Sequence, residues 1–185
     1  MKKGLELFKC NKSFQIETVM EFEKLLSIKL PTSLRYFYSC FELGEGKLEN
    51  AKRNFEGVLM DITSVQFYDK VKNIDRRLSH FYSLNEIIDI WNDIKSINQY
   101  NPGNILPIAI TSIRNEKIFV SLEKESLGTI WCEDSFNANP YAIYKIANDI
   151  YEFISQLYET DILDKEFKGK VLYQRWGENF WRVKE

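Results

Sequence analysis

A chain of 185 residues with 44 % hydrophobic and 15 % aromatic side chains holds enough apolar surface for one core of ordinary domain size, which excludes global disorder and argues against two domains. A net charge of −2 disfavours a nucleic-acid ligand, a single histidine removes most metal and general-base constellations, and three scattered cysteines without a C-x-x-C pair exclude a disulfide framework or a structural zinc site. No apolar run approaches the roughly 18 to 20 residues that span a bilayer, and no apolar stretch follows the lysines of MKKGLELFKC, so the expectation is a single cytoplasmic domain over residues 1–185.

The first predicted element is a helix over Ile16 to Ser27, because Val19, Phe22, Leu25 and Leu26 recur at helical spacing. Pro31 forces Leu30 into an extended conformation and then suits the first turn of a second helix, PTSLRYFYSCFEL, with Leu34, Phe37, Tyr38 and Phe41 on its inner face. Gly44 and Gly46 supply the permissive backbone that ends it. A short strand is expected at residues 57–62, and the charged run KVKNIDRRLS, residues 70–79, reads as an exposed loop or frayed helix. In FYSLNEIIDIWNDIKSI, Ser83 and Glu86 have capping-box spacing, and Leu84, Ile87, Ile88, Trp91, Ile94 and Ile97 form an apolar stripe. Strands follow at ILPIAI, at IFVSL and at Thr129 to Glu133, joined by polar turns too short for a helical crossover, which predicts an antiparallel meander. A last helix is expected from about Tyr141 to Glu159, with Ile146, Ile150, Phe153, Ile154 and Leu157 on one face, and the tail LYQRWGENFWRV fits a hairpin turning near Gly177.

In GTIWCEDSF, Cys132 sits among groups that suggest a nucleophile, yet a reactive thiol needs a base or a helix N-terminus to lower its pKa. Glu133 and Asp134 push it the other way. Strand alternation puts Ile130 and Cys132 on one face and Trp131 with Glu133 on the other, so Cys132 is expected in the core. Gly44-Glu-Gly lacks the remainder of a phosphate cradle. The pairs Asp89 with Asp93 and Asp149 with Glu152 read as solvated faces. Tyr173, Trp176, Phe180 and Trp181 admit two readings, a sugar or nucleobase platform and plain cross-strand packing, with packing favoured. No residue is assigned a catalytic, cofactor-binding or metal-ligating role.

EFEKLLSIKLPTSLRYFYSCFELGEG resembles the opening of the SUKH superfamily, which contains the Smi/Knr-type cell-wall regulators and many bacterial immunity proteins. The matching features are an acidic helix, Leu30-Pro31 and an aromatic-rich helix; Leu43-Gly44-Glu45-Gly46 stands where that family has Asn-Gly-Gly. FYSLNEIIDIWNDIKS, the three central strands and IANDIYEFISQLY are similar to its later elements, so the resemblance covers about residues 16–158 and leaves 161–185 as a C-terminal extension. It implies an α+β fold, a twisted and mainly antiparallel sheet with helices packed against it. It also implies a non-enzymatic protein that binds a toxin of a bacterial producer, or else a regulatory scaffold without a toxin partner.

Charge adds a chemical character to that partner. Residues 111–160 carry eight acidic against four basic side chains, a net of −4, whereas residues 1–57 carry a net of +2. An acidic surface attracts a basic protein, such as a toxin domain with a cleft for nucleic acid; an ordinary solvated surface is the competing reading. The expected contacts are Glu123, Glu125, Glu133 and Asp134, with Trp131 as an anchor if it faces outward. Reversal of Glu133 and Asp134 to lysine is expected to slow association and leave the fold unchanged. Oligomeric state and the identity of the toxin stay open, and neither a membrane nor a nucleic acid is expected as a direct partner.

Overall fold

The computed structural model describes residues 4–45, 63–96, 104–112, 114–135, 137 and 142–161. The strand expected at 57–62, the tail hairpin and the four terminal aromatics lie outside these residues. After a 3-10 turn at Leu5–Leu7 come α1 (Ile16–Leu26) and α2 (Thr32–Cys40), then the strands β1 (Thr63–Asp69) and β2 (Ile74–Phe81). Helix α3 (Leu84–Ser96) leads to β3 (Ile105–Thr111), β4 (Lys117–Ser121), β5 (Ile130–Glu133) and β6 (Ile143–Ala147). Helix α4 (Ile150–Ser155) and β7 (Leu157–Asp161) are the last elements among the described residues. The strands form one sheet in the order β6-β5-β4-β3-β2-β1-β7, and every pair is antiparallel. The fold is therefore α+β, and the meander β3-β4-β5 is its centre.

This sheet curls. Five strand spacings separate β6 from β1, about 24 Å in a flat sheet, yet Tyr144 of β6 donates a hydrogen bond to Asp69 at the end of β1. Bulges in β2–β3, β3–β4 and β5–β6 bend the strands toward closure. The inner face carries Val65, Phe67, Leu78, Phe81, Ile118 and Ile130, packed with Phe22, Phe37 and Phe153 of the helices in one buried cluster. Trp91 of α3 joins the same cluster, while Ile90 reaches a smaller one with Ile105 and Phe119.

Helix α1 buries Val19, Phe22 and Leu26 as its periodicity predicts, but Leu25 is exposed and Glu23 takes the buried place. The Glu23 carboxylate accepts from the Leu30 amide at 2.6 Å and from Arg35 at 2.8 Å, so it stitches α1 to the start of α2. Phe41 leaves the second helix, adopts an extended backbone and pairs with Cys10. The Ser83–Glu86 capping box forms in both directions. Burial opposes the Glu86 charge, but the Ser83 hydroxyl and amide outweigh it and hold that carboxyl below its ordinary range.

Two expectations are corrected. Residues 70–79 are neither a loop nor a helix: they form the tip of the β1–β2 hairpin and most of β2. The inward positions there are Arg76 and Leu78, and a buried cation hides the alternation that betrays a strand. Asn73, with φ 57, supplies the left-handed residue of the tight turn. The long helix over 141–159 is likewise replaced, by β6, the short α4 and β7. Asp149 is extended and its side chain accepts from the Glu152 amide, which starts α4 late. Ile150, Phe153, Ile154 and Leu157 do share one core, but they reach it from a helix and a strand.

Candidate functional site

Cys132 lies on the inner face of β5, opposite Ile118, with 0 % exposure. Burial pushes its thiol up to about 12, against a smaller opposing pull from Arg76. His80 pairs with Ile110 on the outer face, 3.1 Å from the Ser79 hydroxyl and 3.3 Å from a Glu86 carboxylate oxygen. The one histidine and this cysteine thus point to opposite faces of the sheet, and no Cys–His pair forms. Because the folded thiol holds its proton more tightly than the unfolded one, its contribution to stability is complete below the ordinary value of 9.0 and is lost as pH rises toward about 12. Cys132→Ser is expected to cost about 1 to 3 kcal/mol if the buried hydroxyl finds no partner, and less if the Tyr144 hydroxyl, which bonds the Cys132 side chain, takes it up. It leaves partner binding intact; a folded variant that binds nothing would restore the nucleophile reading.

Beside Cys132 the inner face changes from apolar to ionic. Arg76, only 4 % exposed, is held between two carboxylates: its Nε donates to Asp69 at 2.7 Å and its Nη1 donates to Glu116. Tyr144 donates to Asp69 and Ser135 donates to Glu116. Burial works against the Arg76 charge, but Glu116, with Cys132 and Asp69, outweighs it and raises the pKa of the guanidinium. Lys72, at the tip of the β1–β2 hairpin, reaches Asp134 just after β5 at 2.6 Å and lies over the Tyr144 ring. This network closes the curl. Sequence reasoning missed it because its members come from β1, β2, β6 and three turns, and no spacing links them.

The carboxylates expected to meet a partner are not gathered on one surface. Glu123 and Glu125 are exposed in the β4–β5 turn. That turn is closed by Gly128, whose φ of +85 suits glycine and which packs beside Pro31 at the α1–α2 junction. Glu133 and Asp134 sit at the other end of the hairpin, beside Lys117. The Lys117 amide donates to Glu133 at 2.7 Å, and burial pushes that carboxyl up. Asp134 is 9 % exposed and bound to Lys72. The expectation that reversing Glu133 and Asp134 leaves the fold unchanged is therefore corrected: a lysine at 134 meets Lys72 inside the closure. Trp131 is half-buried on the outer face, packed near Ile105 and Phe119, with its indole N–H donating to Thr129 at 2.8 Å.

An open depression between α1, α2 and α3 is lined by residues including Asn11, Gln15, Tyr38, Phe41, Glu42 and Leu84 and contains neither cysteine nor histidine. Among the described residues, no group of three or more His, Cys, Asp or Glu side chains is placed to hold a metal ion, and no helix is long and apolar enough to cross a membrane.

A curled antiparallel sheet that carries two N-terminal helices and a late, short fourth helix on its inner face is the α+β architecture of the SUKH superfamily. The profile of the SMI1 / KNR4 family (SUKH-1) matches residues 15–156, and the chain belongs to that family, which includes toxin-immunity proteins. No curated protein matches the chain in sequence.

Proposed function

We propose that the chain is an immunity protein, which binds a cognate bacterial toxin in the cytoplasm and neutralises it by occlusion, contributing no chemistry of its own. The observation that carries this reading is membership of a family that includes toxin-immunity proteins. The burial of Cys132 away from His80 is in keeping with it.

The toxin surface is taken to be basic. Glu123 and Glu125 meet it directly from the exposed β4–β5 turn, while Trp131 and Glu133 extend the contact along the outer face of β5. Asp134 is turned inward and supports that strand end through Lys72. Charges of this kind act mainly on the rate of encounter and are screened by salt. The toxin encoded beside this gene should therefore bind with an association rate that falls as ionic strength rises. Glu123→Lys with Glu125→Lys should reduce that rate about tenfold at low salt, as stopped-flow fluorescence would record, and leave thermal stability unchanged. An unaltered rate would remove the turn from the interface. Absence of any binding by the neighbouring product would leave the regulatory-scaffold reading in place.

A further inference from the structure

We infer that the open depression between α1, α2 and α3 is a docking site for an extended, uncharged segment of a protein partner. The site goes beyond the toxin reading. The β4–β5 turn meets the helices at Pro31, past the end of α1, whereas the depression lies along the first turn of that helix. Its volume, about 480 Å³, falls within the roughly 300 to 1,000 Å³ of ligand-binding clefts.

Apolar surface and free polar groups converge there. Phe41, Leu43 and Leu84 are half-buried and line the depression. Gln15, Thr18 and Asn85 line it too, all three exposed, and their side chains hold no hydrogen bond among the described residues. A carboxamide both donates and accepts, so Gln15 and Asn85 match the N–H and C=O of a peptide group. The other polar groups hold the walls in place. Asn11 donates to the Ser39 and Phe41 carbonyls at 3.1 and 3.2 Å, which ties the N-terminal segment to the end of α2. Tyr38 donates to the Tyr82 carbonyl at 3.1 Å, and the Ser83 hydroxyl to Glu86 at 2.7 Å. A site fixed before binding loses little conformational freedom when it is filled.

Charge and shape specify the occupant. Among the lining residues only Glu42 is charged, and Lys9 pairs with it at 3.1 Å. A charged group entering the depression would leave water and find no counter-ion of its own. The occupant is therefore neutral, with an apolar side chain for Phe41, Leu43 and Leu84 and polar groups for the carboxamides. Clefts that hold free small molecules bury roughly 70 to 90 % of the ligand surface. An open depression leaves more than that in water. It suits a segment that is also held by the body of a larger partner around it.

The test is a titration of the 15N-labelled full chain with a short capped peptide that alternates leucine with serine and asparagine. Versions with glutamate or lysine at the polar positions, and a neutral disaccharide, are the comparison probes. The neutral peptide should shift the amides of Gln15, Thr18, Leu43 and Asn85, with an affinity that salt does not change. It should bind about tenfold more weakly to Thr18→Arg, which fills the depression from an exposed helix position. Asn85→Ala, a smaller change, should weaken it about threefold by removing a free carboxamide. Glu123→Lys with Glu125→Lys should leave this binding unchanged, which separates the depression from the toxin interface. No response at these amides, equal or tighter binding of a charged peptide, or indifference to both Thr18→Arg and Asn85→Ala would overturn the proposal. Tighter binding of the disaccharide would overturn it too, by assigning the depression to a sugar.

Discussion

Arg76→Met should lower the free energy of unfolding by about 3 to 5 kcal/mol, the range for breaking a buried ion pair by removal of one partner. The cost does not come mainly from lost attraction. Asp69 and Glu116 remain in the closed curl, both nearly inaccessible, with their cation gone. Their remaining donors are two hydroxyls, from Tyr144 and Ser135, and the turn amides on Asp69. Neutralising one carboxylate as well, with Glu116→Gln, should recover part of the loss, since one uncompensated charge then disappears. Urea unfolding of the single and double variants measures both effects. A loss below about 1 kcal/mol would show that water reaches the network and that the ionic closure contributes no more than a surface pair.

Phe37→Ala is the second large effect, about 3 to 5 kcal/mol. Its ring is fully buried and meets Phe8 at 5.2 Å and Phe81 at 5.3 Å, both edge-on, so it joins the N-terminal segment, α2 and the sheet. Truncation leaves a cavity among three rigid elements that cannot all move in to fill it. Tyr36→Ala, one residue away, is the control. Tyr36 is exposed and touches chiefly Phe14, stacked at 5.9 Å, so its loss should change stability by less than about 0.5 kcal/mol. Thermal melts of the pair should differ clearly; similar shifts would mean that α2 is not seated as described.

What the sequence made legible follows a physical division. Elements that bury an unbroken apolar stripe were readable: α1 from Val19, Phe22 and Leu26, α2 from Leu34 and Phe37, and β3–β5 from short polar turns. Where an inward position is ionic, the pattern failed. Arg76 and Asp69 made β2 and the hairpin tip look solvated, although both are buried against each other. Over residues 141–159 the three- and four-residue spacing of isoleucines imitated one helix, because β6, α4 and β7 in succession turn their apolar residues toward a common core. Among the expected contact residues, charge alone could not say which carboxylates remain outside. Glu123 and Glu125 do, whereas Asp134 is consumed by Lys72 from a hairpin sixty-two positions earlier in the chain.

The central proposal is that this protein neutralises a toxin by covering it, and a stoichiometric titration of the toxin encoded beside its gene tests that most directly. Residual toxin activity should fall linearly with added protein and reach zero at a fixed molar ratio. Separation of the complex in denaturant, followed by refolding, should return toxin of unchanged mass and full activity. Inactivation of excess toxin by a small fraction of the protein, or a toxin whose mass has changed, would contradict occlusion and reveal catalysis.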